Sequence, residues 1–263
     1  MPSPPVHLLP NVIDHDYANI DLATWRQIRS CGIQSLELGA TSEPFPKALI
    51  GNLTALGFSF LGHGSSLWNL QNNLAVFISE AHDRKEPFIL CYWPWLDAAD
   101  HITRRQVSDT CTILQDIGRR CRQENLRFAF HNHGLEFASL DGMTICDHML
   151  RETDPALVSL ELDVYHMVNA GHDPLPFMAR HHDRIGILHL NAMDGHGDEA
   201  TVGDGIPGFA AMLTLIPSVH LVIEGHAQKD PLRYVRSSHA RLLALLAIPP
   251  VEEPSRRRTL PQS

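Results

Sequence analysis

Apolar residues fall in short blocks of strand length along this chain, and in its second half each block ends in a residue able to bind a divalent metal. These blocks cover residues 128–133, 158–163, 185–189 and 220–224, and their last residues are His133, Asp163, His189 and Glu224. A buried strand that stops at His, Asp or Glu stops where a sheet meets solvent, so four such ends in succession place four polar groups on one rim. The blocks recur roughly every 30 residues, and helix-compatible stretches at 144–152, 174–182 and 209–216 fill the gaps, which predicts parallel strands joined by crossover helices.

The first half alternates in the same way with less contrast. Strands are expected near 6–13, 35–39, 59–62 and 87–92, with helices over 22–30, 47–56, 70–84 and 102–124 and a last helix over 231–247. Eight strand–helix units in 263 residues match a (β/α)8 TIM barrel, whose usual length is roughly 250 residues. The expected organisation is one α/β domain over 1–248. A tail over 249–263, with Pro-Pro, Glu-Glu and three consecutive arginines but no apolar periodicity, reads as disordered.

Composition narrows the class. At 44% hydrophobic and 19% charged the chain has material for one large core. No run approaches the roughly 18 apolar residues of a membrane span, and no basic stretch leads into an apolar one near the start, so a soluble, cytoplasmic protein with no membrane partner is expected. Five cysteines, an odd number without a Cys-x-x-Cys pair, read as reduced structural thiols. A net charge of −9 leaves no basic footprint for a phosphate backbone, so no nucleic-acid partner is expected. The pairs Arg104-Arg105 and Arg119-Arg120 read as solvated helix faces. No helix shows an oversized apolar face, so a homo-oligomer is compatible with the chain without being argued by it.

Seventeen histidines against three lysines is the unusual part of the composition. Those at predicted strand ends are His131, His133 and His189, with His166 close by, whereas His101, His148, His181, His182 and His239 lie on expected helices. Glu161 and Asp163 are two apart on a strand and project to the same side. Carboxylates on an apolar strand are costly to bury unless paired, hydrogen-bonded or metal-bound. With His189 and Glu224 ending the next two strands, hard oxygens plus imidazole suit Mn2+, Mg2+, Co2+ or Zn2+.

These residues resemble the xylose isomerase-like barrel superfamily, which includes sugar isomerases and epimerases, inosose dehydratase, hydroxypyruvate isomerase and an abasic-site nuclease. The resemblance rests on Phe130-His-Asn-His-Gly-Leu-Glu-Phe137, Leu162-Asp-Val-Tyr-His-Met-Val-Asn-Ala-Gly171, Leu188-His-Leu-Asn191, Val202-Gly-Asp-Gly205 and Ile223-Glu224. It implies that Asp163, His189 and Glu224 ligate one divalent metal and that His166 contacts a substrate oxygen. The fifth strand departs from the pattern: where epimerases carry a glutamate that is both ligand and base, this chain has His131, with Glu136 five residues on, and either can complete the shell. Asn191 stands where many members carry lysine, so a phosphorylated substrate is not expected.

The resemblance implies an isomerase or epimerase that acts on a carbohydrate or polyol through an ene-diolate. The same intermediate also serves a lyase or dehydratase of a keto-sugar or keto-inositol, since His131-Asn-His133 resembles inosose dehydratase too. An abasic-site nuclease and a sugar-binding barrel without turnover complete the alternatives; the nuclease is disfavoured by charge and by a first half in which only His63 offers a further zinc ligand. His133 faces the same way as His131 and is the candidate base, with Glu224 as the second candidate. Glu37, His63 and Trp93 are expected to contact substrate, and Trp93 and Trp95 can either present flat faces to a sugar or pack under a loop. The glycines of Val202-Gly-Asp-Gly205 lack a Lys-Ser/Thr partner, so they read as a tight turn at the site rather than a phosphate cradle.

Overall fold

Eight parallel strands form a closed barrel in a computed structural model that describes residues 4–40, 45–96, 101–193, 200–225 and 228–247. The strands are β1 (Val6–Leu8), β2 (Ser35–Ala40), β3 (Ser59–Ser66), β4 (Phe88–Trp93), β5 (Arg127–His131), β6 (Ser159–Asp163), β7 (Ile185–Leu190) and β8 (His220–Ile223). Around them lie α1 (Leu22–Ser30), α2 (Lys47–Ala55), α3 (Leu67–Arg84), α4 (Arg104–Gln123), α5 (Ile145–Glu152), α6 (Val164–Asn169), α7 (Pro174–His181), α8 (Phe209–Leu215) and α9 (Pro231–Leu246). No helix among the described residues is long and apolar enough to cross a membrane. The tail expected over 249–263 lies outside the described residues.

Local chemistry explains most boundaries. Thr103 and Thr144 open α4 and α5 with reciprocal capping boxes to Gln106 and Asp147. β1 is shorter than the run at 6–13 suggested, because Pro10 has no N–H to donate and the chain turns into a 3-10 helix over Pro10–Val12. β1 makes three register pairs with β8 but only one, Leu8 with Leu36, with β2. The helix α6 was not expected from sequence. It starts directly after Asp163, whose Oδ1 caps it by accepting from the His166 N–H at 3.0 Å.

The barrel separates two apolar regions. The larger fills the space between strands and helices; the smaller comprises Leu9, Leu61, Phe88, Leu90, Tyr92, Ala129, Ile187 and Val222 and occupies the lumen. With the two-residue strand period, the positions after these along β5, β7 and β8 are His131, His189 and Glu224. The lumen is thus apolar below and ionisable toward the C-terminal ends of its strands. At Gly64 an added Cβ would collide with the Leu90 carbonyl, so only glycine allows β3 and β4 this close.

Candidate metal centre

His189 is the hub of the upper lumen. Its Nε2 lies 3.0 Å from Glu37 Oε1 and 3.1 Å from Glu161 Oε1, and its Nδ1 lies 3.0 Å from Glu224 Oε2. Tyr92 donates to Glu37 Oε1 at 2.9 Å, and Asn191 donates to Glu224 Oε2 at 3.1 Å. On the other side His131 places Nδ1 3.4 Å from Glu161 Oε2 and Nε2 3.8 Å from Asp163 Oδ2. The same Asp163 oxygen is 3.8 Å from His166 Nε2. The β5–β6 ladder ends at the His131–Glu161 pair, and Asn132 then clamps the Asp163 backbone. Its side chain donates to the Asp163 carbonyl at 3.1 Å and accepts from the Asp163 N–H at 3.0 Å.

Charge in this space is unbalanced. Glu37, Glu161, Asp163 and Glu224 are all buried, and Asp163 Oδ2 and Glu37 Oε2 accept no hydrogen bond. Burial and the Glu161 charge push the Glu37 carboxyl up to about 7. Burial and Glu224 likewise hold Asp163 well above the usual carboxylate range. For His189 burial opposes the charged form, but the carboxylates of Glu37 and Glu161 outweigh it and hold the imidazolium well above its ordinary value. The resulting donor set suits a divalent cation, which would offset this negative charge. His131, Asp163 and His189 offer ligand atoms within 4.8 Å of one another, as do Glu37, Glu161 and His189, and as do His131, His133 and His166.

His133 stands beside the centre, its ring 5.0 Å from His131 and 4.9 Å from His166 between centroids. Trp93 meets it edge-on at 5.3 Å, at the position where a substrate contact was expected. The turn expected at Val202-Gly-Asp-Gly205 forms, with both glycines at positive φ, and it is tied to Asn191 through Gly203 N–H at 2.9 Å.

Two expected site residues lie elsewhere. Glu136, an expected alternative to His131, is turned away from the cluster: Trp95 Nε1 donates to one oxygen at 2.5 Å and the His133 N–H to the other at 2.7 Å. A 3-10 helix over Leu135–Phe137 carries it sideways off the strand axis, so it orders the loop below His133 and holds Trp95 under that loop. His63, expected to contact substrate, faces out of the barrel between β3 and α3. There Nδ1 contacts Glu86 at 2.5 Å and Nε2 contacts Glu80 at 3.3 Å. The cause is an extra residue in β3, Leu61, between the positions paired with Leu36 and Glu37; beyond it His63 pairs with outward-facing Leu38. Sequence reasoning left Glu161, Tyr92 and Asn132 out of the site. The two-residue step to Asp163 was the available signal for Glu161, and the alternation Phe88, Leu90, Tyr92 was the signal for Tyr92.

No family model matches the chain. An inosose dehydratase from Clostridium tetani is 23% identical over 133 residues, 50% of this chain and 43% of that protein. One from Lacticaseibacillus casei is 31% identical over 94 residues, 36% of this chain and 31% of that protein. The chain therefore spans less than half the length of these relatives. Among solved structures, a sugar phosphate isomerase/epimerase from Parabacteroides distasonis superposes with a TM-score of 0.75 at 17% identity, covering 91% of this chain and 98% of that one. An L-ribulose 3-epimerase gives 0.71 at 14%, covering 92% and 94%. A xylose isomerase-like TIM barrel protein from Mycobacterium smegmatis in complex with magnesium gives 0.65 at 14%, covering 93% and 96%. The chain thus shares the TIM-barrel fold of these solved structures, and its partial sequence likeness is to inosose dehydratases.

Proposed function

We propose that the protein is a divalent-metal-dependent isomerase or epimerase of a sugar or polyol. The observation that carries this reading is the buried set His131, Asp163, His189 and Glu224 on four consecutive strand ends, with unsatisfied carboxylate oxygens between the imidazoles. These four residues would hold the ion, and their donor chemistry suits Mn2+, Mg2+, Co2+ or Zn2+. When bound, such an ion supplies Lewis acidity that polarises a substrate carbonyl and favours the ene-diolate left by loss of the neighbouring proton.

The chain's own groups do the rest. His133 accepts the proton: burial first, then the neighbouring His131 and His166, push its imidazole down to about 3, so it is neutral and carries a lone pair throughout the physiological range. A base this weak is poorly matched to neutral pH, so it acts only if substrate binding raises its basicity. Glu224 is the second base candidate. His166, with 28% of its side chain exposed, is placed to touch a substrate oxygen, and Trp93 covers the outer edge of His133. Glu37 and Glu161 orient His189 from below, as carboxylates do behind metal-ligating histidines.

A second reading, dehydration of a keto-sugar or keto-inositol, is favoured by the sequence relatives, which are inosose dehydratases. Metal-loaded protein incubated in D2O with a panel of ketoses and inososes, followed by NMR, separates the two. C–H exchange with a rearranged sugar supports isomerase or epimerase chemistry, and loss of water from an inosose supports the dehydratase. Absence of exchange and of product with every substrate, using protein shown to hold metal, would refute both.

A further inference from the structure

His7 and His220 form a hydrogen-bonded pair at the N-terminal end of the barrel strands, opposite the end that carries the metal centre. His7 Nε2 and His220 Nδ1 are 2.9 Å apart, with ring centroids at 5.1 Å. One ring comes from β1 and the other from β8, so the pair ties the first strand to the last. Two backbone bonds flank it, Leu221 N–H to Pro5 O and Leu9 N–H to Ile223 O, each at 3.0 Å. His7 is buried, and its Nδ1 has no hydrogen-bond partner. With the inter-ring bond kept, a proton added to either ring leaves a hydrogen on His7 Nδ1, which faces no acceptor. A second added proton points two N–H groups at each other and breaks the bond. The surroundings oppose the charge as well. Phe88 of β4 meets the His220 ring edge-on at 5.5 Å, and the Arg127 guanidinium of β5 lies 4.3 Å from the centre of the Phe88 ring. Burial, then the His220 ring, push His7 down to about 3. Burial, then Arg127, push His220 down to about 4, against a weaker pull from Glu37 of β2. Ile187 of β7, paired with His220, and Gly62 of β3, paired with Phe88, bring no charge.

We propose that the His7–His220 pair is an acid-sensitive latch on barrel closure: mild acid protonates the two rings and frees β1 from β8. β1 is the strand that gives way, because it is held by three register pairs to β8 and one to β2. An imidazole released into water titrates near 6.5, roughly. The open form therefore binds protons that the closed form refuses, over the range from about pH 6.5 down to the folded values of about 4 and 3. The latch contributes its full stability above that range and loses it as pH falls. Between pH 7.5 and 5.5 each ring shifts the balance toward opening about tenfold, and the pair shifts it about 100-fold. The latch is independent of the proposed reaction.

The test is amide hydrogen exchange on the full chain at pH 7.5, 6.5 and 5.5, corrected for intrinsic exchange rates. Leu9 and Leu221, whose N–H groups bridge the seam, should lose about 100-fold in protection from pH 7.5 to 5.5, while the amides of β4 keep theirs. The double variant His7→Gln with His220→Asn places neutral amides near the same two nitrogen positions, so its seam protection should stay flat over this range. Seam protection that does not change with pH in the wild type, or that falls equally in the double variant, overturns the proposal. An equal loss along β4 overturns it too, because the whole barrel then unfolds instead of the seam. Should the double variant fail to fold, imidazole NMR of the wild type decides. Both rings neutral at pH 5.5 in the closed barrel support the latch, and either ring protonated there overturns it.

Discussion

Glu37→Gln should stabilise the metal-free protein at alkaline pH, although it removes a buried partner of His189. In the folded chain burial and Glu161 raise the Glu37 carboxyl from 4.5 to about 7. A rise of roughly 2.5 pH units is worth about 3 kcal/mol. The folded state binds this proton more tightly than the unfolded state, so the group contributes nothing below about pH 4.5, where both are protonated. Stability is lost as pH climbs from 4.5 through 7, and the full cost of about 3 kcal/mol is present above that. Glutamine is nearly isosteric, never ionises, and still accepts from Tyr92, whose hydroxyl lies 2.9 Å from Glu37 Oε1. Loss of the negative charge beside His189 offsets part of the gain, so the expected stabilisation at pH 8 is about 2–3 kcal/mol. Urea unfolding in EDTA at pH 5, 6, 7 and 8 reads it directly: wild type and variant should converge at pH 5 and separate progressively above. Saturating Mn2+ should shrink the difference, since the cation offsets the same charge. A variant no more stable than wild type at pH 8, or a gain of equal size at every pH, would refute the reasoning.

Glu136→Ala should lower stability by about 2–4 kcal/mol, because Trp95 Nε1 and the His133 N–H both lose their acceptor, yet leave metal content unchanged by elemental analysis. Arg184→Met should cost roughly 2–4 kcal/mol in a denaturant titration: the guanidinium donates to Thr153 Oγ1 at 2.8 Å and Val158 O at 3.1 Å and also to Leu150 O, joining α5 to β6 at the base of the barrel. Gly64→Ala should cost about 1–3 kcal/mol or more in thermal unfolding and speed amide exchange along β4, since its methyl meets the Leu90 carbonyl.

Strand identity and order were legible because buried parallel strands are nearly continuous apolar runs, and Phe88, Leu90 or Ile187 can be nowhere else. The ends of those runs also announced Asp163, His189 and Glu224. What escaped was governed by single-residue geometry. One extra residue in β3 sends His63 to the outside, and a 3-10 turn after β5 diverts Glu136, and neither leaves a mark in hydrophobic periodicity. Glu37 was read as a rim contact, whereas it lies buried beneath His189. The depth of a side chain in a barrel depends on strand stagger, which a single sequence does not display.

The seam at β1 has a kinetic consequence. The first strand is held chiefly by the last, Val6 beside Leu221 and Leu8 beside Ile223, with one pair to its sequence neighbour β2. Most of the ring can therefore assemble from successive neighbouring units, while closure must await a contact between segments more than two hundred residues apart in sequence. Such a contact is entropically the most expensive in the molecule and forms late. Until it does, β8 presents an open edge and the lumen stands exposed along one side, so aggregation during refolding should concentrate at that edge. A peptide spanning residues 4–12, added during refolding, would compete for the β8 edge and slow closure in proportion to its concentration.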